Sequence, residues 1–516
     1  MKTESFIERR PDFGIRAVLI AVFLCLVPWL AVQINMRVPD DAAWLFGAAD
    51  LFLSGAHMTE SFFDNNPPMS YMIYIPAVLL SKAGIAPWYS LTIYALGLVF
   101  LSVFLVVMLI RAWPGVGNTA RMGAFARYLI SITLVSQYEF GQKDHLIAVT
   151  LFPFLLAQFA LADRHSVSSW IILTALAVGT PFILLKPHYG LLPVIMIAHR
   201  LIREKNMVAV LRPDVAALFA GVMLYGAAVL MWFPDYIHIA LPDTIALYAA
   251  KIFSTVFMAA AGPAILSGCL LIFSFFLCQA GDTRRIAVFL AGMALAAIVP
   301  LFVQMKGFSL HMLPVLSLML ASLLFIAGHM FEEKYETVSR LPVFFVVTVL
   351  GFAYALFPPG THYATHKSYM ESGLAQYLRE KKPEGGFFME SHSTTLIASA
   401  SMYSGVRMSS RFPSLWFLPF PTDPEKAVIL KEKFGGFIAA DLEKFKPGLV
   451  AVYASDRSRK SFVDIFGGQD DFDRAWRHYR RGGKFILDYD EGYRSTPFRE
   501  SAGGEVAYDI YVRVRD

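Results

Sequence analysis

The sequence is short of charge. Only 16% of its 516 residues are Asp, Glu, Lys or Arg, where an ordinary soluble domain carries about a quarter. It has three cysteines, Cys25, Cys269 and Cys278, and all lie in apolar stretches. With no cysteine pair in a polar region, a disulfide framework and zinc-ligand spacing are both excluded. The sequence also lacks a Gly-rich phosphate-binding fingerprint, an internal repeat and any low-complexity tract, which sets aside P-loop and solenoid architectures. Asn118-Thr119-Ala120 is not a glycosylation sequon. The net charge of +5 does not argue for a nucleic-acid partner, because in so apolar a chain the basic residues first report membrane topology.

Apolar residues are what the chain has in plenty, at 56% of the total. Their distribution is uneven: roughly half of the 45 Lys and Arg residues follow Pro358. Two regimes result, a transmembrane block over 1–357 and a soluble part over 358–516, joined near Pro358–His366. In the soluble part Gly386–Glu390 and Leu449–Tyr453 read as buried strands, and Leu374–Lys382 and Asp471–Arg481 as helices. That alternation predicts a C-terminal soluble α/β domain.

At the start, the charged stretch Met1–Arg16 leads into a long apolar run over 14–36 without an obvious small-residue cleavage site. It is expected to be an uncleaved first span. About eleven segments are apolar and near the length that crosses a bilayer. The stretch 68–84 is short and interrupted by Pro76, and the positive-inside rule decides its status. With Arg9, Arg10 and Arg16 in the cytoplasm, a full crossing by 68–84 would put Arg111, Arg121 and Arg127 outside. A re-entrant or juxtamembrane 68–84 puts them inside, together with Arg164, the Arg200–Lys205 run, Arg212 and Arg284-Arg285. The second choice satisfies every short loop, so the expected fold is an α-helical polytopic membrane protein with the N-terminus cytoplasmic and the C-terminal domain outside.

On that topology the polar connections share one face. They are the first outer loop 37–68, then Glu139–His145, Lys186–Tyr189, Pro234–Lys251 and Lys306–His311. The first loop holds adjacent carboxylates, Asp40 and Asp41, and ends in Asp64-Asn65-Asn66-Pro67-Pro68. Asp40 and Asp41 suit a general base that deprotonates an acceptor, or oxygen ligands to a divalent cation. By pattern alone a solvated helix N-cap ahead of Ala42-Ala43-Trp44-Leu45 is the commoner use of Asp at such a place, and it is compatible with either role because a cap also fixes the carboxylate's position. Asp64, Asn65 and Asn66 read either as a substrate loop or as a turn before a helix.

Glu139, Lys143, Asp144 and His145 are either hydrated interfacial charge or a second acid beside a phosphate-holding cation. Lys186 with His188, and Lys306 with His311, repeat a cation close to a histidine on the same face. Cations at a membrane edge neutralise lipid phosphate, and these four, with Lys143, are the candidate donor-phosphate ligands. His238 and Asp243 fit ordinary loop residues or substrate contacts, and His57 is expected to be structural or solvated.

The order of a first span, an acidic loop and then Phe63-Asp64-Asn65-Asn66-Pro67-Pro68-Met69 resembles the GT-C glycosyltransferases. The likeness is to the branch of the protein O-mannosyltransferases and the lipid A aminoarabinose transferase (families 39 and 83). That branch commonly reads Asp-Glu or Asp-Asp after the first span and Asp-Asn/His-Lys-Pro-Pro-Leu at the loop's end. Here Asn66 stands in place of the Lys, and Met69 in place of the Leu. The segment Lys143-Asp144-His145 is similar to an Arg-Glu-His run of bacterial relatives. The resemblance implies inverting transfer of a sugar from a polyprenyl-phosphate donor, with Asp40 or Asp41 as base; Asp41 is preferred as the nearer to the helix start. If the missing Lys held donor phosphate, Lys186 or Lys143 takes its place. No strict metal requirement is implied for this branch, but oligosaccharyltransferase-type relatives use a divalent cation, so one is left open at Asp40 and Asp41.

The expectation is therefore a glycosyltransferase of the inner membrane of a bacterium, working in the cell envelope on a saccharide, lipid or protein acceptor. A transporter or flippase of a lipid-linked saccharide, and a polysaccharide polymerase or ligase, are the alternatives. The absence of an internal two-fold repeat and the scarcity of mid-bilayer charge weigh against the transporter.

Overall fold

The computed structural model describes residues 29–111, 128, 132, 139–162, 167–205, 212–249, 265, 268–269, 271–272, 282–304, 309–322, 365–371, 373–391, 397–415, 418, 424–454, 460–488 and 505–514. Among them, four helices are long and apolar enough to cross a membrane: Pro87–Arg111, Lys143–Ala162, Val215–Trp232 and Arg284–Phe302. Ser169–Leu185, Tyr236–Leu247 and Leu313–Ser322 are shorter apolar helices. The chain is an integral membrane protein.

The first loop carries a helix, α1, over Asp40–Leu53. Pro39 precedes it and two acids occupy its first turn, where negative charge meets the positive end of the helix dipole. It stops at Gly55, whose φ of 82° lets Ala56 N reach back 3.0 Å to Leu51 O, a left-handed stop that glycine adopts without penalty. The face carrying Ala42, Ala43, Leu45, Ala48 and Ala49 is buried. The loop continues to Asp64, whose Oδ1 accepts from Asn66 N at 2.7 Å, an Asx turn that leads into the short helix Met69–Met72.

The stretch 68–84 forms that short helix and a second one, α2, over Ile75–Lys82. α3 is Pro87–Arg111, α4 Lys143–Ala162, α5 Ser169–Leu185, α6 Leu191–Glu204 and α7 Pro213–Trp232. α4 and α5 pack closely at Gly179, where an added Cβ would lie 2.6 Å from Phe154 Cβ. Close approach of helix backbones through small residues is how apolar helices gain packing energy in lipid, where hydrophobic burial offers none.

After residue 365 the described chain folds as helices on a four-stranded sheet of order β1-β2-β4-β3. β1 is Phe387–Met389, β2 Leu449–Tyr453, β3 Tyr479–Asp488 and β4 Glu505–Arg513. β1 and β2 run parallel, and the other two pairings are antiparallel. β2 is buried along its whole length, which matches its unbroken apolar sequence. The longer helices of this part are α8 Gly373–Lys381, α9 Ile397–Ser404, α10 Pro424–Phe445 and α11 Asp470–Trp476, beside the five-residue helices His366–Met370 and Phe462–Phe466.

The expected helix over Asp471–Arg481 stops early. α11 ends at Trp476, and Tyr479 onward pairs with β4 as far as Asp488. Trp476 stacks on Tyr479 at 5.4 Å and meets Tyr511 at 4.8 Å, so aromatic packing and ladder hydrogen bonds outweigh the helical pattern of the sequence.

The first loop lies between these two parts. α1 packs against α2 and α9. Val38 N, just ahead of α1, donates to Tyr403 Oη at 2.9 Å. His366 accepts from that hydroxyl through Nδ1 at 2.6 Å and reaches Ile34 O through Nε2 at 3.0 Å. The imidazole is thus the neutral tautomer with its proton on Nε2, in keeping with burial that pushes its pKa down to about 4.

Candidate active site

Two carboxylates enter the membrane block from α1, and they do different things. Asp40 is buried, its side chain 4% exposed, and takes the Arg37 guanidinium at 2.9 Å. Arg37 also lies over the Tyr369 ring, 4.9 Å from its centre. Asp41 is the more open of the two, with a side chain 24% exposed, and it is bonded to the Lys143 ammonium. Gln142 Nε2 approaches the same carboxylate oxygen at 3.5 Å. The acids are not a solvated cap: the N-cap residue is Pro39, Asp40 is buried, and Asp41 is bonded to Lys143. Nor does α1 begin after Asp41: it begins at Asp40.

The sequence pattern puts Lys143, Asp144 and His145 in a connection. They form instead the first turn of α4, and all three are buried. Helix formation there satisfies the backbone, and each charge finds a partner from another element. Lys143 meets Asp41 of α1. Asp144 meets the Lys186 ammonium at the end of α5. Lys186 Nζ also donates to His311 Nδ1 at 2.9 Å, and that ring stands 3.5 Å from the second Asp144 oxygen. His145 accepts from Gly141 N at 3.1 Å through Nδ1 and lies against Phe140.

Glu139 sits in the turn just before α4. Burial pushes its carboxyl up to about 7, with Asp41 and Asp144 adding to the effect and Lys143 and Arg37 opposing it. Glu139 therefore shares one electrostatic neighbourhood with both ion pairs. Asp64 faces the same neighbourhood from the far end of the loop. It accepts from Trp44 Nε1 at 2.9 Å and from the side chain of Asn66 at 2.7 Å. Burial raises its pKa against those bonds and against Lys143.

Asn66 also bonds Asn65 Oδ1 at 2.9 Å. A crevice walled by Gln33, Met36, Arg37, Pro39, Leu91, Thr92 and Phe140 lies on the Asp40 side. It combines a guanidinium with apolar walls.

No family model matches the chain, and no curated protein does. Solved structures are similar to it. ArnT from Cupriavidus metallidurans in the apo state is 14% identical, over 87% of this chain and 98% of that one, with a TM-score of 0.38. The same protein bound to undecaprenyl phosphate is 13% identical, over 95% and 97%, with a TM-score of 0.40. The Archaeoglobus fulgidus oligosaccharyltransferase, in a complex with zinc and sulfate, is 11% identical, over 92% and 72%, with a TM-score of 0.45. Both proteins are of the GT-C superfamily. Similarity of this degree transfers no residue roles, and the chemistry of the site rests on its own side chains.

The structure brings Asp40, Asp41, Glu139, Lys143 and Asp64 into one neighbourhood, and Asp144, Lys186 and His311 into a buried cluster next to it. His188 is half-buried in the turn after Lys186 and lies 5.1 Å from the Tyr189 ring. Lys306 lies outside the described residues. A divalent ion at Asp40 and Asp41 finds no ready ligand set: the two acids hold different cations, and among the described residues no group of three or more His, Cys, Asp or Glu could hold a metal. Asp243 bonds Lys433 of α10 at 2.6 Å.

The sequence pattern does not single out Arg37 or Gln142. Arg37 has a signal, a lone cation between the first apolar run and the acid pair. Gln142 has none.

Proposed function

We propose that the chain is a membrane glycosyltransferase that moves a sugar from a polyprenyl-phosphate donor to an acceptor at the outer face of the inner membrane. The observation that carries this reading is the bond between Asp41 and Lys143. It sets the more accessible of two adjacent carboxylates against a buried ammonium, with the Arg37 guanidinium bonded to the neighbouring Asp40. An acceptor to be deprotonated and a phosphate to be neutralised call for a carboxylate and cations placed together.

In the proposed step Asp41 takes the proton of the acceptor hydroxyl or amine as that atom attacks the anomeric carbon. The bond from that carbon to the donor phosphate oxygen breaks, and the phosphate leaves with the electron pair. Configuration inverts, because one displacement occurs. Lys143, Lys186 and Arg37 are the cations assigned to the leaving phosphate, with charge stabilisation in a low-dielectric site as their contribution. The segment after Pro358 is assigned to the outer face as a soluble α/β domain.

The test is to incubate the purified protein with polyprenyl-phosphate sugars of several kinds and measure release of polyprenyl phosphate. Release is expected for one donor, and loss of it in the Asp40→Asn/Asp41→Asn double variant. Full activity in that variant would sink the proposal.

A further inference from the structure

A turn within the first loop, just ahead of Asp64, is held in an unfavourable backbone conformation. Thr59 has a φ of 69°, the left-handed region that a β-branched residue avoids. Its amide closes the turn on Phe62 O at 2.7 Å. Its hydroxyl reaches Asp235 at 3.2 Å. Such conformations persist only where surrounding contacts over-determine them.

Most of those contacts come from the far end of the chain. Arg411 Nη1 donates to Thr59 O at 2.6 Å, and Arg411 O accepts from Phe63 N at 2.6 Å. One residue thus grips both ends of the turn. Arg411 is gripped in its own right: its Nε and its amide each bond an oxygen of Asp441 on α10 at 2.8 Å, and its guanidinium lies 4.7 Å from the Phe437 ring centre. Phe63 packs at 5.2 Å from Phe412. Lys444 Nζ reaches Glu60 O at 3.2 Å.

We infer that Arg411 is a positioning residue for the first loop, fixing the Thr59–Phe63 turn so that Asp64 is delivered to the Trp44 indole and faces the Asp41–Lys143 pair. Phe63 and Asp64 are consecutive, so the bond from Phe63 N to Arg411 O sets the point from which the Asp64 side chain departs. Asp64 in turn shapes Asn65-Asn66-Pro67-Pro68 through its bonds to Asn66. The last third of the chain is then part of the site's framework. The effect on transfer rests on the glycosyltransferase reading, but the effect on the loop does not.

Arg411→Lys retains a cation beside Asp441 but cannot give separate, fixed donors to Asp441 and Thr59. Hydrogen exchange of this variant is to be compared with that of the wild type in detergent. The Phe63 and Asn66 amides are expected to exchange about tenfold faster or more, while the β2–β4 amides are unchanged. Unchanged exchange over 59–66 overturns the inference, and so does equal acceleration in β2–β4, which would mark a general loss of stability. If a donor is turned over, the same variant should raise the acceptor KM more than it lowers kcat. If no donor is turned over, the transferase reading fails and the exchange result still decides the role of Arg411.

Discussion

Lys143 and Asp41 stand 102 positions apart in the chain and are bonded to each other. The pair joins the first turn of α4 to the first turn of α1, and only the carboxylate partner keeps appreciable access to solvent. Breaking a pair this enclosed strands a charge. Asp41→Asn leaves the buried Lys143 ammonium without its charge partner and should lower stability by about 3–5 kcal/mol, with transfer reduced by about 100-fold or more. Lys143→Met leaves only the more accessible carboxylate, so it should cost less stability and raise the donor concentration needed for half-maximal rate. Thermal unfolding in detergent and a donor titration measure the two effects. Equal loss of donor binding and stability in both variants would contradict the division of labour.

Glu139 gives the site a pH dependence of its own. Its carboxyl is pushed up to about 7 by burial and by Asp41 and Asp144, so it is neutral below that pH and anionic above. On the proposed reading, ionisation adds negative charge beside the cations assigned to the donor phosphate. The donor requirement should therefore rise between about pH 6 and pH 8, by up to about tenfold. Glu139→Gln should flatten that rise, and a profile unchanged by the substitution would remove Glu139 from the site.

Asp441 predicts a stability effect of definite sign. Burial raises its pKa to about 6 despite the Arg411 guanidinium. An acid whose folded pKa lies above its unfolded value contributes stability that is fully present below the unfolded pKa and is lost as pH rises through the folded one. Between pH 4 and pH 6 the wild type should therefore lose stability relative to Asp441→Asn, by roughly 2–3 kcal/mol across the window. Melting temperatures of the two proteins measured at half-unit intervals would show it, and parallel curves would refute it.

Gly179→Ala tests the packing of α4 on α5. The added Cβ would fall 2.6 Å from Phe154 Cβ, so one helix must shift. Overpacking of this kind costs about 1–3 kcal/mol. Gly226→Ala, on α7, meets nothing within 4 Å and should not destabilise, which makes the pair of melting curves self-controlled.

Much of this arrangement is legible in the sequence because it rests on patterns of local composition. The apolar lengths mark α3, α4 and α7, and the unbroken apolar run Leu449–Tyr453 marks β2. The acid pair and the polar end of the first loop are visible as costly residues near a bilayer. The first turn of α4 reads as a connection because Lys143, Asp144 and His145 are charged, and a linear sequence does not reveal that Asp41 and Lys186 will meet them. Arg411 and Asp441 give no signal at all, since the importance of Arg411 comes from a contact with Thr59, 352 positions earlier. The end of α11 is hidden for a related reason: Tyr479 is claimed by a strand that appears only at Glu505–Arg513.

Those long separations bear on how the protein is made. Val38 waits for Tyr403, and Thr59 waits for Arg411, intervals of 365 and 352 residues. At ordinary synthesis rates of about 5–20 residues per second, α1 must stand at the membrane surface for tens of seconds before its partners exist. A chain interrupted before residue 403 would carry both Asp41 and Lys143 yet lack the contacts that anchor the loop around them. Completion of the polypeptide thus sets the moment at which the first loop can be anchored.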